Sequence, residues 1–315
     1  MARYLLRRLL QAVFVLWAAF TLSYLVLFAL PSDPVSVKLG GIDSTATPEQ
    51  IAAVRDKYGV GDPMLVQYGK ALRNALRGDF GHSIQTGADV RGTIGDALPE
   101  TLKLTALALL FTLVLGIGIA VAATYARRNA LRQLLLSIPA LGISMPGFWV
   151  GLLLIHVVSF QWQALPALGN QGFDSLILPA ITMALPASAF VAQILAKSMT
   201  TVLASPYIDT ARAKGVGRAR IHFHHALRNA SLPALTIFGM LAANLLTEAV
   251  VVETVFSRAG LGRVTAFAVE SQDIPVVQAV VVLSALVFVL VSLVTDLLYP
   301  LLDPRVAVAP ARRAG

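Results

Sequence analysis

Six long apolar stretches, separated by segments that carry most of the charge, constrain this chain more than any other feature of its sequence. A helix needs about 20 predominantly apolar residues to cross the hydrocarbon core of a bilayer. Stretches of about that length or longer run over residues 9–30, 102–123, 134–160, 176–196, 232–255 and 276–298. The pattern predicts an all-α, polytopic integral membrane protein with six transmembrane helices.

The composition excludes a soluble enzyme. Hydrophobic residues make up 57% of the 315 residues and charged residues only 13%, whereas a typical soluble domain carries about 25% charged residues. The net charge of +8 could indicate nucleic-acid binding, but a basic soluble domain would not also be this apolar. We therefore expect no nucleic-acid partner, and we assign the basic residues to loops on the cytoplasmic side of the membrane.

The distribution of Lys and Arg predicts the orientation. The amino terminus, the loops after the second and fourth stretches, and the carboxyl-terminal tail are all rich in basic residues. Short loops with an excess of Lys and Arg stay in the cytoplasm, so both termini are predicted to be cytoplasmic. The first stretch is longer than the apolar region of a cleavable signal peptide and is interpreted as a retained anchor.

The connection between the first two stretches predicts an amphipathic helical insertion. Thr47-Pro48-Glu49-Gln50 has the pattern of a helix start, and this helix is expected to end at Gly59. A second amphipathic helix is expected from about Leu65 to Leu76, followed by a glycine-rich loop from Gly78 to Gly95. The predicted organisation is residues 1–30 for the amino-terminal end and first helix, 31–101 for the insertion, and 102–315 for the transmembrane core, which includes a cytoplasmic loop at 201–231.

That cytoplasmic loop is the most informative polar segment. Pro206 opens a short predicted helix, Tyr207–Lys214, which Gly215-Val216-Gly217 breaks before a second amphipathic helix at Arg218–Asn229. The apolar side of the second helix is predicted to carry Ile221, Phe223 and Leu227. Two helices joined by glycines form a stiff projecting element. The alternative is that the loop only fixes topology through its positive charge.

The same loop resembles the EAA loop of bacterial ABC importer permeases, whose pattern is E-A-A-x-x-x-G with a later hydrophobic-Leu-Pro. This chain has Asp209-Thr210-Ala211 at the first three positions, then Gly215 and Leu232-Pro233. Residues 210–215 are similar to the R-T-A-R-A-K-G of the oligopeptide, dipeptide and nickel branch. Other segments similar to that branch are residues 1–34, 252–256, 260–262, 275–278, 296–299 and 302–305. The chain as a whole resembles the first of the two permease subunits of such an importer.

The resemblance implies a site and a set of partners. The loop would act as a coupling helix seated on a cytoplasmic ATPase, through Asp209, Thr210, Ala211, Arg212, Lys214 and Gly215. The expected partners are a second homologous permease, two ATP-binding-cassette ATPase subunits, an extracellular substrate-binding protein, membrane lipid and a peptide substrate. The expected location is the bacterial plasma (inner) membrane, with several membrane passes.

No nucleotide-binding motif G-x-x-x-x-G-K-[ST] occurs in the chain. The chain is therefore predicted to be a transport subunit without its own ATPase site, not an enzyme. No cofactor or metal is expected in it, because ATP and Mg would be bound by the partner ATPase subunits. His222, His224 and His225 are assigned to a surface or ATPase-facing role rather than to metal binding.

Polar residues inside the apolar stretches are candidates for the translocation path. A carboxylate within the bilayer is costly and usually faces a bundle interior or water. The candidates are Asn244, Thr247, Glu248 and, more weakly, Gln193, with Glu248 meeting a peptide ammonium group. The alternative for Glu248 is a structural hydrogen bond to the partner permease. A predicted outer gate or interface comprises Glu253, Arg258, Gly260 and Gly262.

The sequence thus predicts half of a translocation path for di- and oligopeptides. Nickel chelates, heme or another small solute are the alternative substrates. An ATP-independent secondary transporter could show the same hydropathy, but it would not need a glycine-broken basic loop, and no inverted repeat is visible. An intramembrane enzyme would need facing polar groups such as Glu248 and His156, and nothing in the sequence places those together.

Overall fold

The computed structural model describes residues 2–29 and 63–302, and this part of the chain is built almost entirely from helices. The α-helices are α1 (Ala2–Ala29), α2 (Met64–Ala75), α3 (Val90–Tyr125), α4 (Asn129–Ser144), α5 (Gly147–Leu154), α6 (Asp174–Leu203), α7 (Pro206–Ala213), α8 (Arg218–Arg220), α9 (Leu227–Val255), α10 (Leu261–Glu270) and α11 (Ile274–Leu302). One π-helical segment, Ile155–Gln161, continues α5, and a second, Ile221–Ala226, joins α8 to α9.

The predicted all-α membrane fold is confirmed. Within the described residues, four helices are long and apolar enough to cross a membrane: Leu6–Leu27 of α1, all of α3, all of α6, and Ile274–Val294 of α11. These correspond to the first, second, fourth and sixth predicted stretches. The fifth predicted stretch lies within α9, which is 29 residues long.

The third predicted stretch is not one helix. Helix α4 ends at Ser144, Met145 and Pro146 take extended backbone angles, and α5 begins at Gly147. Proline lacks an amide hydrogen and disfavours helical angles in the residue before it. Met145-Pro146 therefore separates the two helices, although hydropathy shows one continuous run.

The predictions for the insertion have mixed outcomes. The helix expected from Leu65 to Leu76 is confirmed as α2, whereas the helix expected to start at Thr47 lies outside the described residues. The predicted end of the following loop, at Gly95, is wrong, because α3 already begins at Val90. Asp89 caps this helix: its Oδ2 accepts a hydrogen bond from the Gly92 amide at 3.1 Å. The two following glycines are therefore helical.

The described residues divide into two compact units, which lie within residues 1–100 with 259–289 and within residues 101–258 with 290–315. In the first unit, α1 contacts α2 through Thr21 Oγ1 and Tyr68 Oη, which lie 2.8 Å apart. A separate apolar cluster of this unit contains Val90, Ala97, Leu261, Ala268, Val276, Ala279 and Val280. The buried Asp273, just before α11, anchors the loop before α3. Its carboxylate accepts hydrogen bonds from Ser83 Oγ and from the Ile84 amide, the latter at 3.1 Å.

Helix α6 is the centre of the second unit. Its most apolar window is 72% buried, against 11%, 28% and 22% for the other three candidate spans, and α4, α5 and α9 all pack on it. The fourth apolar stretch therefore lies in the interior of this unit. In α5, only Val150 and Gly151 are buried.

Candidate functional site

The loop between α6 and α9 folds as predicted at its tip. Pro206 occupies the first turn of α7, where its missing amide hydrogen costs nothing. At the other end the Gly215 amide donates to Arg212 O at 2.9 Å and the Val216 amide donates to Ala211 O at 3.1 Å. These two bonds form a Schellman motif, which requires a left-handed residue just after the helix. Gly215 supplies it, with φ of +79°.

Helix α7 has one buried apolar side and one exposed polar side. Ile208 is fully buried, and α7 packs against the π-helical segment Ile221–Ala226. Most of the sequence-predicted coupling residues are exposed (Asp209, Thr210, Arg212, Lys214 and Gly215), and Ala211 is half-buried. Asp209 and Arg212 form an exposed ion pair at 3.0 Å along one helix face. The tip is therefore a short helix with a buried apolar side and an exposed polar side.

A second contact fixes α7 to the start of α9. Asn229 Nδ2 donates a hydrogen bond to Tyr207 Oη at 3.0 Å. The helix that contains Asn229 was predicted to end at that residue, but it continues as α9 to Val255. The bond connects α7 to a helix that runs the length of the fifth apolar stretch.

The helix after the glycines differs from prediction in the face that it buries. Ile221 is buried as expected, but Phe223 is 56% exposed, and His222 is 5% exposed although it was assigned to the surface. The π-helical turn at 221–226 rotates the side chains relative to a regular α-helix, which a 3.6-residue period does not capture. Within the described residues, no group of three or more His, Cys, Asp or Glu side chains lies close enough to hold a metal ion.

His222 instead contacts the end of α3. Its Nε2 lies 3.2 Å from Thr124 O, and its ring meets the Tyr125 ring edge-on at 5.0 Å. Arg218 donates from Nη2 to Tyr125 O at 2.6 Å. Sequence reasoning missed these contacts, because the partners are about a hundred residues apart and neither belongs to a recognisable motif.

The candidate path residues of α9 lie on one side of that helix. Asn244 and Thr247 are exposed and Glu248 is half-buried. An ideal Cβ built on Gly147 would lie 2.6 Å from Glu248 Oε1, so the carboxylate sits against the first residue of α5. A carboxylate is favoured at this position because the amino-terminal end of a helix carries partial positive charge. Gln193, on α6, is also exposed.

An apolar groove lies apart from these residues. It has a volume of about 460 Å³ and is formed by α3, α4, α5 with its π-helical extension, and α6. None of the four candidate path residues lines it. His156, on that π-helical extension, is exposed and bonds to Gln161, with 3.2 Å between the two Nε2 atoms.

Glu253 and Arg258, predicted at an outer gate or interface, are both buried within this chain. Thr101 Oγ1 donates to Glu253 Oε1 at 2.6 Å. The Arg258 guanidinium donates from Nη1 to Gly169 O at 2.9 Å and to Ser175 O at 3.0 Å. Removing one member of a buried charged network is costly because its partners lose their hydrogen bonds. The other two predicted gate residues, Gly260 and Gly262, are buried in the first unit.

Comparisons with known proteins cover nearly the whole chain. The family model described as "Binding-protein-dependent transport system inner membrane component" matches residues 112–308. A second model, for the amino-terminal part of the membrane component of such systems, matches residues 1–105. Together the two models match all but a few residues of the chain.

Relatives and solved structures give the same picture. The probable peptide ABC transporter permease protein y4tP of Sinorhizobium fredii is 36% identical over 314 residues, which cover 97% of this chain and 99% of that protein. The oligopeptide transport system permease protein AppB of Bacillus subtilis is 35% identical over 317 residues, with the same coverage. A chain of the MetNI methionine ABC transporter, solved in inward-facing conformations, matches with a TM-score of 0.58 at 16% identity. It covers 67% of this chain and 96% of that chain, and it shows a shared fold alone.

Proposed function

The chain belongs to the family of binding-protein-dependent transport system inner membrane components and is a permease subunit of an ABC importer, and from this premise we propose that it forms half of a translocation path for di- and oligopeptides. It is a multi-pass membrane component and a transport protein rather than an enzyme. The path requires a second, homologous permease to complete it. Peptides reach the path from an extracellular binding protein, and separate ATPase subunits supply the energy.

The peptide class is supported by the relatives. Proteins named for peptide and oligopeptide transport are 36% and 35% identical to this chain over almost its full length. Selectivity among peptides rests mainly with the binding protein, because that protein holds the substrate before it enters the membrane. The permease must then accept groups that all short peptides share, above all an ammonium and a carboxylate.

The geometry of α7 carries the proposed mechanism. A short helix with a buried anchor at Ile208, an exposed Asp209–Arg212 pair and a glycine-determined end can dock as one rigid body. In this proposal both termini and α7 are cytoplasmic, and the exposed face of α7 sits in a groove of an ATPase subunit. ATP-driven closure of the ATPases moves α7, and the helices joined to it carry the movement into the bilayer.

Glu248 is the proposed contact for the peptide ammonium group. It is half-buried, lies on the same side of α9 as Asn244 and Thr247, and sits beside the break in the third stretch. A half-buried carboxylate attracts a cation more strongly than an exposed one, because less water screens the pair. The neighbouring Asn244 and Thr247 offer uncharged hydrogen-bonding groups for the peptide backbone.

Uptake by cells that lack this chain and are complemented with variants tests the proposal. The probes are radiolabelled dialanine and its N-acetyl derivative, which has no ammonium group. We expect Glu248→Gln to lower dialanine uptake at least tenfold, which corresponds to about 1.4 kcal/mol. The uptake rates of dialanine and its N-acetyl derivative should become more similar in this variant. Glu270→Gln removes the same charge at an exposed site and should change neither. Cells that import nickel(II)–histidine but neither peptide would contradict the peptide class.

A further inference from the structure

The end of α3 is held by side chains from the helix that follows α7. The last turn of an α-helix leaves carbonyl groups without partners in the helix. Arg218 donates to Tyr125 O at 2.6 Å, and His222 Nε2 lies 3.2 Å from Thr124 O. A cationic side chain at this position also faces the negative end of the helix dipole. Two of the last carbonyls of α3 are thus met by residues from a different part of the chain.

The same residues stack as well as hydrogen-bond. The Arg218 guanidinium carbon lies 4.5 Å from the centroid of the Tyr125 ring, which is within the range of a cation–π contact. The His222 ring meets the Tyr125 ring at 5.0 Å with an interplanar angle of 86°. We call Thr124, Tyr125, Arg218 and His222 the α3 clasp. Arginine suits this position better than lysine, because its guanidinium offers several donors in a fixed fork whereas the lysine ammonium is a point charge on a flexible stem.

The clasp is close to α7 in the chain and is backed by packing. Only Lys214 and the segment Gly215–Gly217 separate the last residue of α7 from Arg218. Below the clasp, Ala120 of α3 packs in a buried cluster with Leu195, Ala196, Met199, Ala226 and Ala230. The apolar cluster holds α3 near α6 and α9, and the polar clasp fixes the end of α3 to the start of the α8 segment.

We propose that Arg218 and His222 are positioning residues that transmit the movement of α7 to the end of α3. This inference rests on the proposed docking of α7 to an ATPase. It adds a third transmembrane helix to the two, α6 and α9, that are covalently continuous with the loop. Through the clasp, the end of α3 and the base of α7 move as one body when the ATPases close.

Distance measurement tests whether the joint is rigid. The chain contains no cysteine, so Arg127→Cys and Ala213→Cys place two spin labels on exposed sites just beyond α3 and at the end of α7. The labelled chain is studied in the complete transporter in lipid nanodiscs. We expect one narrow distance distribution, the same with and without ATP, and a broadened distribution once Arg218→Gln is added. A distribution that already changes with ATP in the unmodified clasp would overturn the proposal.

Coupling is measured on the same complex in liposomes as dialanine imported per ATP hydrolysed. We expect Arg218→Gln to lower this ratio more than tenfold, Arg218→Lys to lower it less, and Arg220→Gln, an equal charge change on an exposed neighbour, to leave it unchanged. Tyr125→Leu combined with Arg218→Gln should cost less than the sum of the two single changes, because both remove the contact between the Arg218 guanidinium and the Tyr125 ring. Equal ratios for Arg218→Gln and Arg220→Gln would overturn the proposal.

The two measurements separate this inference from the proposed function. If the unmodified complex imports no dialanine, the proposed substrate class fails, while the spin-label distances still decide whether the clasp is rigid. If Arg218→Gln does not assemble, the distances and the coupling ratio of Arg218→Lys decide in its place. A lysine variant identical to the unmodified complex in both measurements would overturn the role of the planar stack.

Discussion

Replacing Gly215 by alanine isolates the contribution of backbone conformation at the end of α7. Gly215 has φ of +79°, and an ideal Cβ placed on it meets no atom within 4 Å. The substitution therefore causes no clash, and its whole cost comes from the left-handed angle. Gly217 offers a matched control, because it is also open around its Cβ but has φ of −64°.

The expected cost follows from the backbone alone. A residue with a Cβ pays about 1–2 kcal/mol in the left-handed region. That energy corresponds to a factor of about 5–30 in an equilibrium constant. It falls on the Schellman motif, in which the Val216 amide donates to Ala211 O at 3.1 Å. Asparagine tolerates left-handed angles better than alanine does, so Gly215→Asn should recover part of the loss.

Hydrogen exchange of the Val216 amide, measured by mass spectrometry on the complete transporter, reports the opening of this motif. We expect exchange to be about 5–30 times faster in Gly215→Ala, with a smaller increase in Gly215→Asn. Gly217→Ser should not change it, because serine is well suited to the residue before a helix. The uptake of dialanine should fall in the same order. Unchanged exchange in Gly215→Ala would refute the reasoning.

Two other sites give predictions that do not involve α7. Asp273→Asn leaves one carbonyl oxygen for the two donors, so hydrogen exchange at the Ile84 amide should become about tenfold faster. The control, Glu270→Gln at an exposed site, should not change this exchange. Equal exchange in the two variants would contradict the anchoring role of Asp273. Gly147→Ala places a methyl group 2.6 Å from the position of Glu248 Oε1, a flexible group that can move. We expect dialanine uptake to fall with little change in the melting temperature, and unaltered uptake would show that this carboxylate position is not used.

The sequence predicted α7 within one residue at each end, Tyr207–Lys214 against the observed Pro206–Ala213. Its boundaries are encoded locally, by a proline in the first turn and a glycine after the last, and local signals need no knowledge of the fold. The family resemblance was confirmed for a similar reason: the motifs that carry it are contiguous stretches of sequence.

The third apolar stretch shows where hydropathy fails. A hydropathy window measures apolar length, and the residues around Pro146 remain apolar, so the break between α4 and α5 does not register. The start of α3 was missed for the opposite reason. Five glycines suggested a loop, but the cap formed by Asp89 and the burial of Val90 outweigh the low helix propensity of glycine.

Burial of polar residues was the least predictable property. His222 was assigned to the surface, yet its environment is made by the end of α3, far away in sequence. Glu253 and Arg258 stand out in the sequence as charges near an apolar stretch, but their partners are single residues in distant segments. Such pairs are created by packing, and one sequence read alone contains no signal that joins them. Their predicted gate role stays a prediction.

The central claim, that α7 faces the cytoplasm and contacts an ATPase, can be tested by cross-linking. Ala213→Cys gives a single cysteine at the exposed end of α7, and Leu168→Cys gives an exposed control in the segment before α6. With a short cross-linker that carries a maleimide for the cysteine thiol and an activated ester for a lysine amine, the account predicts a product of this chain with an ATPase subunit for Ala213→Cys alone. A membrane-impermeant maleimide should block it in inside-out vesicles. Labelling of that cysteine from the outside of intact cells, with no ATPase product, would contradict the claim.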